Sequence, residues 1–367
     1  MATSPSNTLS KKLTPKQIAK IIDDPMKTAK AVNLIYVNDS EKGIMRAKWG
    51  RGFRYTLEER KITDKTQLER IKKLVIPTAW KDVWICTLEN GHLQVTGLDD
   101  KGRKQYIYHP VWIALRDQTK FYRIIQFAHA LPNIRLNIEK DLALRGLKQR
   151  KVLATVVSLM ERTNMRVGNE VYEKLYGSYG ITTLKDRHFE GTSSKLHFTF
   201  KGKKGVKHDI TFTNKRLARI VQQCKEIPGK ELFQFYDEEG KRHPISSGMV
   251  NDYIKEISGE DFTAKDFRTW SGTVNAFLGL NELGIAETET ERKELIVSAL
   301  DKVACLLGNT RAVCKKYYVH PLILQLYETQ SLNKYLKQLD TIEKNDNKAG
   351  LTYEEQVILT LLENERL

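Results

Sequence analysis

The chain lacks most of the motifs that mark a metal site, a bound nucleotide or a nucleophilic serine. It contains no HExxH, no GxxxxGK[ST] and no GxSxG, and "GKKGVKH" does not have phosphate-loop spacing. The four cysteines, Cys86, Cys224, Cys305 and Cys314, include no CxxC pair, so neither zinc nor a redox dithiol is expected. Free, mostly buried thiols in a reducing cytosol are expected instead. No apolar run approaches the roughly 18 residues that suggest a membrane-spanning helix. The opening "MATSPSNTLSKKLTPKQ" has no signal-peptide core and reads as a polar leader. Internal repeats and Pro- or Ser-rich linkers are not apparent. The expectation is a cytoplasmic protein with no metal, no nucleotide cofactor and no membrane.

What the chain does have is positive charge. Lys and Arg number 61 against 45 Asp and Glu, a formal net charge of +16 over 367 residues. Such an excess points to a polyanionic partner, nucleic acid or an anionic membrane surface, and the missing apolar runs weaken the second. Apolar content of 40% with scattered aromatics argues for a folded chain long enough for two domains.

Hydrophobic patterning predicts an α+β protein. "GIMRAKWGRGFRY" and "VWICTLENGHLQVTG" alternate as strands, with a hairpin turn at Asn90-Gly91, and "LVIPTAW" supplies core including Trp80. Residues 101–123 carry six Lys/Arg and one Asp between Tyr106, Tyr108, Trp112, Phe121 and Tyr122. That interleaving suits a phosphate-and-base surface, or equally a half-buried strand with solvated cations. From about residue 117 the period becomes helical, including a helix that runs into Arg166. "KLHFTFKGKKGVKHDITF" predicts an isolated two-stranded hairpin, followed by five further helices. From Asp340 the charge reverses, seven acids against three bases, and "EEQVILTLLENE" reads as a closing amphipathic helix. The predicted division is a β-rich N-terminal module over 1–116 and a larger, mainly α-helical domain with a small β-hairpin over 117–367.

With metals and nucleotides set aside, chemistry must rest on cationic side chains and a nucleophile that works unaided. Phosphodiester transfer fits this inventory, because fixed cations stabilise the negative charge of its transition state. Forked arginine donors suit non-bridging oxygens, a lysine can protonate a leaving oxygen, and a phenol can attack. Candidates of each type are present; composition does not say which converge.

"MRVGNEVY", "FKGKKGVKHDI", "KDFRTWSGT" and "LGNTRAVCKKYYVHP" occur in the order expected of type IB DNA topoisomerases, and the chain resembles their compact bacterial and poxvirus branch. Upstream, "GRGFRY", "IPTAWKDVWIC" and "GRKQYIYHP" resemble the N-terminal module of the same branch. The likeness spans roughly residues 40–330. It implies a catalytic set in which Arg166 and Arg268 clamp the phosphate and Lys203 protonates the departing 5′-oxygen. Asn309 stands where the poxvirus enzymes carry histidine, a departure that leaves a neutral hydrogen-bond donor. The nucleophile stands nine residues after that position, which is Tyr318 and not Tyr317. Tyr106 and Tyr108, with Lys104 in the same motif, resemble residues that meet DNA, as do Tyr172 and Lys265. The implied activity relaxes supercoiled duplex DNA through a 3′-phosphotyrosyl intermediate, without ATP or a cofactor, in a nucleoid-associated monomer that clamps the duplex.

Two other functions compete. A tyrosine recombinase or integrase shares the Arg–Lys–Arg–Tyr chemistry. However, recombinases usually carry HxxR before the second arginine, where this chain has Lys265-Asp266-Phe267-Arg268, and their core-binding part is typically helical. A non-catalytic DNA-binding relative is compatible with composition, but it would not require both arginines, the turn lysine and the tyrosine at family spacing.

Overall fold

A computed structural model of the chain describes residues 24–100, 104–339 and 350–365. The polar leader expected at the N-terminus lies outside the described residues. The chain divides into two units, one up to Arg123 and one from Ile124 onward.

The first unit is built on a six-stranded antiparallel sheet. In chain order its strands are β1 Ile44–Trp49, β2 Gly52–Leu57, β3 Arg60–Lys61, β4 Lys81–Ile85, β5 Leu93–Leu98 and β6 Lys104–Tyr108; in space the order is β3-β2-β1-β4-β5-β6. One face buries Ile44, Val83, Ile85 and Val95 against Ile71 of the helix Lys65–Lys73, with Trp80 packed at the edge. The β4–β5 hairpin forms as the pattern predicts, with Asn90-Gly91 in its connection. Helical structure begins earlier than the expected residue 117. The helix Pro110–Leu142 opens on a proline, whose fixed φ and missing N–H suit a first turn.

The second unit is mainly helical. Its central helix, Gln149–Thr163, buries every residue from Val152 to Met160, as an element surrounded by others must. The helices Lys215–Lys225, Ser247–Ser258 and Ala264–Leu283 pack around it. This helix stops short of Arg166. Asn164 takes the left-handed conformation that commonly ends helices, and Arg166 falls in an irregular segment beyond it. The expected two-stranded hairpin gains a third strand: β7 Phe189–Gly191 pairs with β8 Lys195–Lys201, which pairs with β9 Lys207–Thr213. Leu196, Phe198 and Phe200 face the core from β8. Two short strands, β10 Gln234–Tyr236 and β11 Arg242–Pro244, form a separate ribbon. Cys86, Cys224 and Cys314 are buried free thiols and Cys305 is exposed. Burial pushes the Cys224 thiol up to about 12, so it carries no thiolate at neutral pH.

The closing helix, Tyr353–Asn364, is fastened by charge as well as by apolar burial. Arg135 forks onto both carboxylate oxygens of Glu355 at 2.8 and 2.9 Å, and its Nε donates to Glu161 at 2.7 Å. The indole of Trp270 also donates to Glu355, at 2.9 Å. Glu355 additionally closes a capping box with Thr352. Paired, hydrogen-bonded charges of this kind are costly to break from one side, because the remaining partner stays buried. Glu355→Gln should therefore lower unfolding free energy by about 3 kcal/mol, whereas Glu354→Gln, one residue away, should change it by less than about 0.5 kcal/mol in urea titrations.

Candidate active site

Two helices of the second unit end at the same place, and two arginines satisfy their last carbonyls. The C-terminal carbonyls of a helix lack partners within it and carry the negative end of its dipole. Arg268 donates through Nη1 to the carbonyl of Asn164, beyond the helix Gln149–Thr163. Through Nη2 it donates at 2.7 Å to Leu307, the last residue of the helix Glu289–Leu307. Arg166 donates at 2.9 Å to the next carbonyl, that of Gly308, and at 2.7 Å to Oδ1 of Asn309. Gly308 can make this turn because its φ is +58°.

Among the described residues neither guanidinium pairs with a carboxylate. Arg268 is only 6% exposed and Arg166 is half-buried. Burial draws both below the ordinary arginine pKa; for Arg166 the positive charge of Arg268 adds to this, while Tyr318 and Cys314 work against it for both. Among the described residues, Nε of Arg268 and Nδ2 of Asn309 are buried without a hydrogen-bond partner. The pocket is thus a cluster of fixed positive charge with free N–H groups, a match for an anion with several oxygens.

Tyr318 lies under this cluster, its ring 5.3 Å from the Arg268 guanidinium. It is separated from Tyr317 by the end of a helix. The helix Arg311–Tyr317 stops at Tyr317, and Tyr318 adopts φ −126°, ψ −19° as its cap. Tyr317 is half-buried, with the Lys316 ammonium 5.1 Å from its ring. The "SGT" of the Arg268 helix fixes the Tyr318 backbone. The Thr273 hydroxyl lies 3.3 Å from the Tyr318 carbonyl and accepts the His320 N–H at 3.1 Å.

Lys203 and Tyr172 are reached from the other side of Arg166. They line a cleft of about 610 Å³ together with Arg166, Tyr176, Tyr179 and Lys201. Lys203 is exposed in the β8–β9 turn, where Lys204 takes a left-handed φ of +60°. Lys265 is exposed one turn before Arg268 on the same helix. In the first unit, Tyr106 and Tyr108 share one face of β6, as alternate strand residues do, and their rings stack at 5.9 Å. Lys104 opens that strand, and its side chain lies outside the described residues. Among the described residues no group of His, Cys, Asp and Glu is placed to hold a metal, and no helix is long and apolar enough to cross a membrane.

Sequence reasoning passed over three residues of this site. Asn164 and Gly272 left signals: Asn after a helical run is a common cap, and a lone Gly in a helical pattern marks a close approach. His208, on β9, left none. A methyl at Gly272 would meet the Tyr318 carbonyl at 2.6 Å and its Cβ at 3.0 Å, whereas one at Gly279 would rest 3.6 Å from Ala299. Gly272→Ala should therefore destabilise the protein by about 1–3 kcal/mol through overpacking. Gly279→Ala should be neutral or stabilising by up to about 1 kcal/mol. Equilibrium denaturation of the two variants checks the contrast.

Comparison with known proteins agrees with this geometry. Residues 109–346 match the family described as eukaryotic DNA topoisomerase I, catalytic core, and residues 52–99 match the bacterial DNA topoisomerase IB N-terminal domain. The chain is 33% identical over 296 residues to DNA topoisomerase 1B of Acanthamoeba polyphaga mimivirus, covering 78% of this chain and 88% of that protein. It is 24% identical over 289 residues to DNA topoisomerase 1B of Vaccinia virus (strain Copenhagen), covering 77% and 86%. Similarity extends to DNA topoisomerase 1 of Mycosarcoma maydis, 26% identical over 184 residues, or 45% of this chain and 18% of that one. The two family matches and the mimiviral relative together place this chain in the type IB DNA topoisomerase family.

Proposed function

We propose that this protein relaxes supercoiled duplex DNA, acting as a monomer, with Tyr318 as nucleophile and Arg166, Arg268, Lys203 and Asn309 as its catalytic partners. The observation that carries the proposal is a buried and a half-buried arginine with no carboxylate partner among the described residues, beside an unused Arg268 Nε and an unused Asn309 Nδ2. A backbone phosphate supplies the missing negative charge and the missing acceptors.

The chemistry is a transesterification. The Tyr318 oxygen forms a bond to phosphorus as the bond to the 5′-oxygen breaks. The phenolic proton passes to solvent, and the 5′-oxygen takes one from the Lys203 ammonium. Non-bridging oxygens gain charge in the transition state, and the arginines and Asn309 already point donors at that region, so little reorganisation is needed. While the 3′ end is held on Tyr318 the duplex rotates, and attack by the 5′-hydroxyl reverses the step. One phosphodiester replaces another, so the reaction needs no ATP.

DNA binding rests on both units. The stacked Tyr106–Tyr108 face in the first unit, and Tyr172 and Lys265 in the second, offer rings and a cation to a duplex, and Lys104 belongs to the same motif as the two tyrosines. Contacts made mainly to phosphates tolerate sequence and weaken steeply with salt. The setting that follows is the DNA-containing compartment of the cell.

Supercoiled plasmid incubated with the purified chain in EDTA without ATP should be relaxed, whether the supercoils are negative or positive. Tyr318→Phe should abolish relaxation and Tyr317→Phe should retain it. Arg268→Ala should slow it by about a hundredfold or more, the scale of losing a donor to a transition-state oxyanion. A plasmid that stays supercoiled across salt and enzyme concentrations would overturn the proposal.

A further inference from the structure

We propose that His208 is the residue that positions Lys203, through the shape of a ring wedged between Gly202 and Gly308. The inference rests on the topoisomerase reading above and adds a residue that this reading does not use. Gly202 directly precedes Lys203 in the β8–β9 turn, and Gly308 directly precedes Asn309 at the end of the helix Glu289–Leu307. A methyl built at Gly202 would meet His208 Nε2 at 2.6 Å, and one built at Gly308 would meet His208 Cε1 at 2.9 Å. The imidazole thus fills the gap between the two backbones that carry the turn lysine and the pocket asparagine. Its own place is set by Phe200 of β8, on which it stacks at 4.8 Å with 17° between planes.

Packing, not hydrogen bonding, holds the ring. Among the described residues it makes no hydrogen bond, although it is half-buried beside strong donors. Burial lowers its pKa, and the charges that face it, Arg166 from the segment after the helix Gln149–Thr163 and Arg268 from the helix Ala264–Leu283, lower it further. Both effects favour the neutral ring. A cationic side chain there would be repelled by the two arginines, and a larger one would collide with both glycines.

The arginines do not depend on this wedge. Arg268 is held by the carbonyls of Asn164 and Leu307, and Arg166 by Gly308 and Asn309. The ties of the lysine turn are mostly internal. The Gly202 N–H binds the Val206 carbonyl, the Gly205 N–H that of Gly202 and the Val206 N–H that of Lys203, while from outside the turn the Tyr179 N–H binds the Lys201 carbonyl at 2.8 Å. Removing the imidazole therefore frees the turn while leaving the clamp in place, and the step that suffers is proton delivery to the leaving oxygen.

This separates cleanly by chemistry. If the bridging 5′-oxygen of a cleavable DNA strand is replaced by sulfur, the leaving group departs as a thiolate and needs no proton. Single-turnover cleavage of matched oxygen and sulfur substrates should be measured for the wild type, His208→Ala and Lys203→Ala, with DNA affinity measured alongside. His208→Ala should be slower on the oxygen substrate by about ten- to a hundredfold, the scale of a misplaced catalytic group. On the sulfur substrate it should approach the wild type, following Lys203→Ala, and DNA affinity should be unchanged. Gly202→Ala, whose methyl pushes on the ring from the turn side, should show the same oxygen-selective defect.

Cleavage by His208→Ala at the wild-type rate on both substrates would show that the ring positions nothing. Equal slowing on both would place its effect on the clamp or the fold and also overturn the proposal. A wild type that cleaves neither substrate would instead overturn the topoisomerase reading, and this inference with it.

Discussion

Everything at this site depends on two guanidinium cations, one buried and one half-buried, with no acid among the described residues to neutralise them. Burying a charge is costly unless it is paired and hydrogen-bonded. Here the compensation is dipolar: the carbonyls of Asn164, Leu307 and Gly308 terminate two helices and point at Arg166 and Arg268. Carbonyl dipoles hold the cations in position but do not cancel their charge. The same chain treats another buried arginine differently, since Arg135 is matched by Glu161 and Glu355. The contrast separates an arginine used to fasten the fold from two kept electrostatically open.

Keeping that charge open constrains the surrounding architecture. The two helices must end close together, which places a left-handed Asn164 after one and a left-handed Gly308 after the other. The helix that delivers Arg268 must also let the Tyr318 backbone approach, which Gly272 allows, and its Thr273 holds the segment that follows. Two residues after Arg268 on the same helix, Trp270 donates to Glu355, so the closing helix is tied to the element that carries Arg268. The closing helix Tyr353–Asn364, read from the sequence as amphipathic, contributes Val357, Ile358, Leu361 and Leu362 to the core of the second unit.

Much of this was legible in the sequence where the signal is local. Alternation revealed β8 and β9, periodicity revealed the helix that carries Arg268 and the one that ends before Tyr318, and motif order identified the family. The choice of Tyr318 over Tyr317 rested on motif spacing. The structure gives a different reason for the separation: the helix ends between them. Non-local facts were not legible. Nothing near "KHDI" indicates that His208 will meet Gly308, 100 residues later. Nor does anything around Arg135 announce Glu355 as its partner, 220 residues away. The third strand, β7, is three residues long, too short for alternation to register.

The most direct test of the central claim is to identify the atom that receives the phosphate. The wild-type chain should be trapped on a nicked duplex from which the 5′ fragment diffuses away, then digested, and the DNA-linked peptide sequenced by mass spectrometry. The account predicts a single phosphotyrosyl bond at Tyr318, joined to the 3′ end of the broken strand. Attachment at Tyr317, or to a 5′ end, would contradict it.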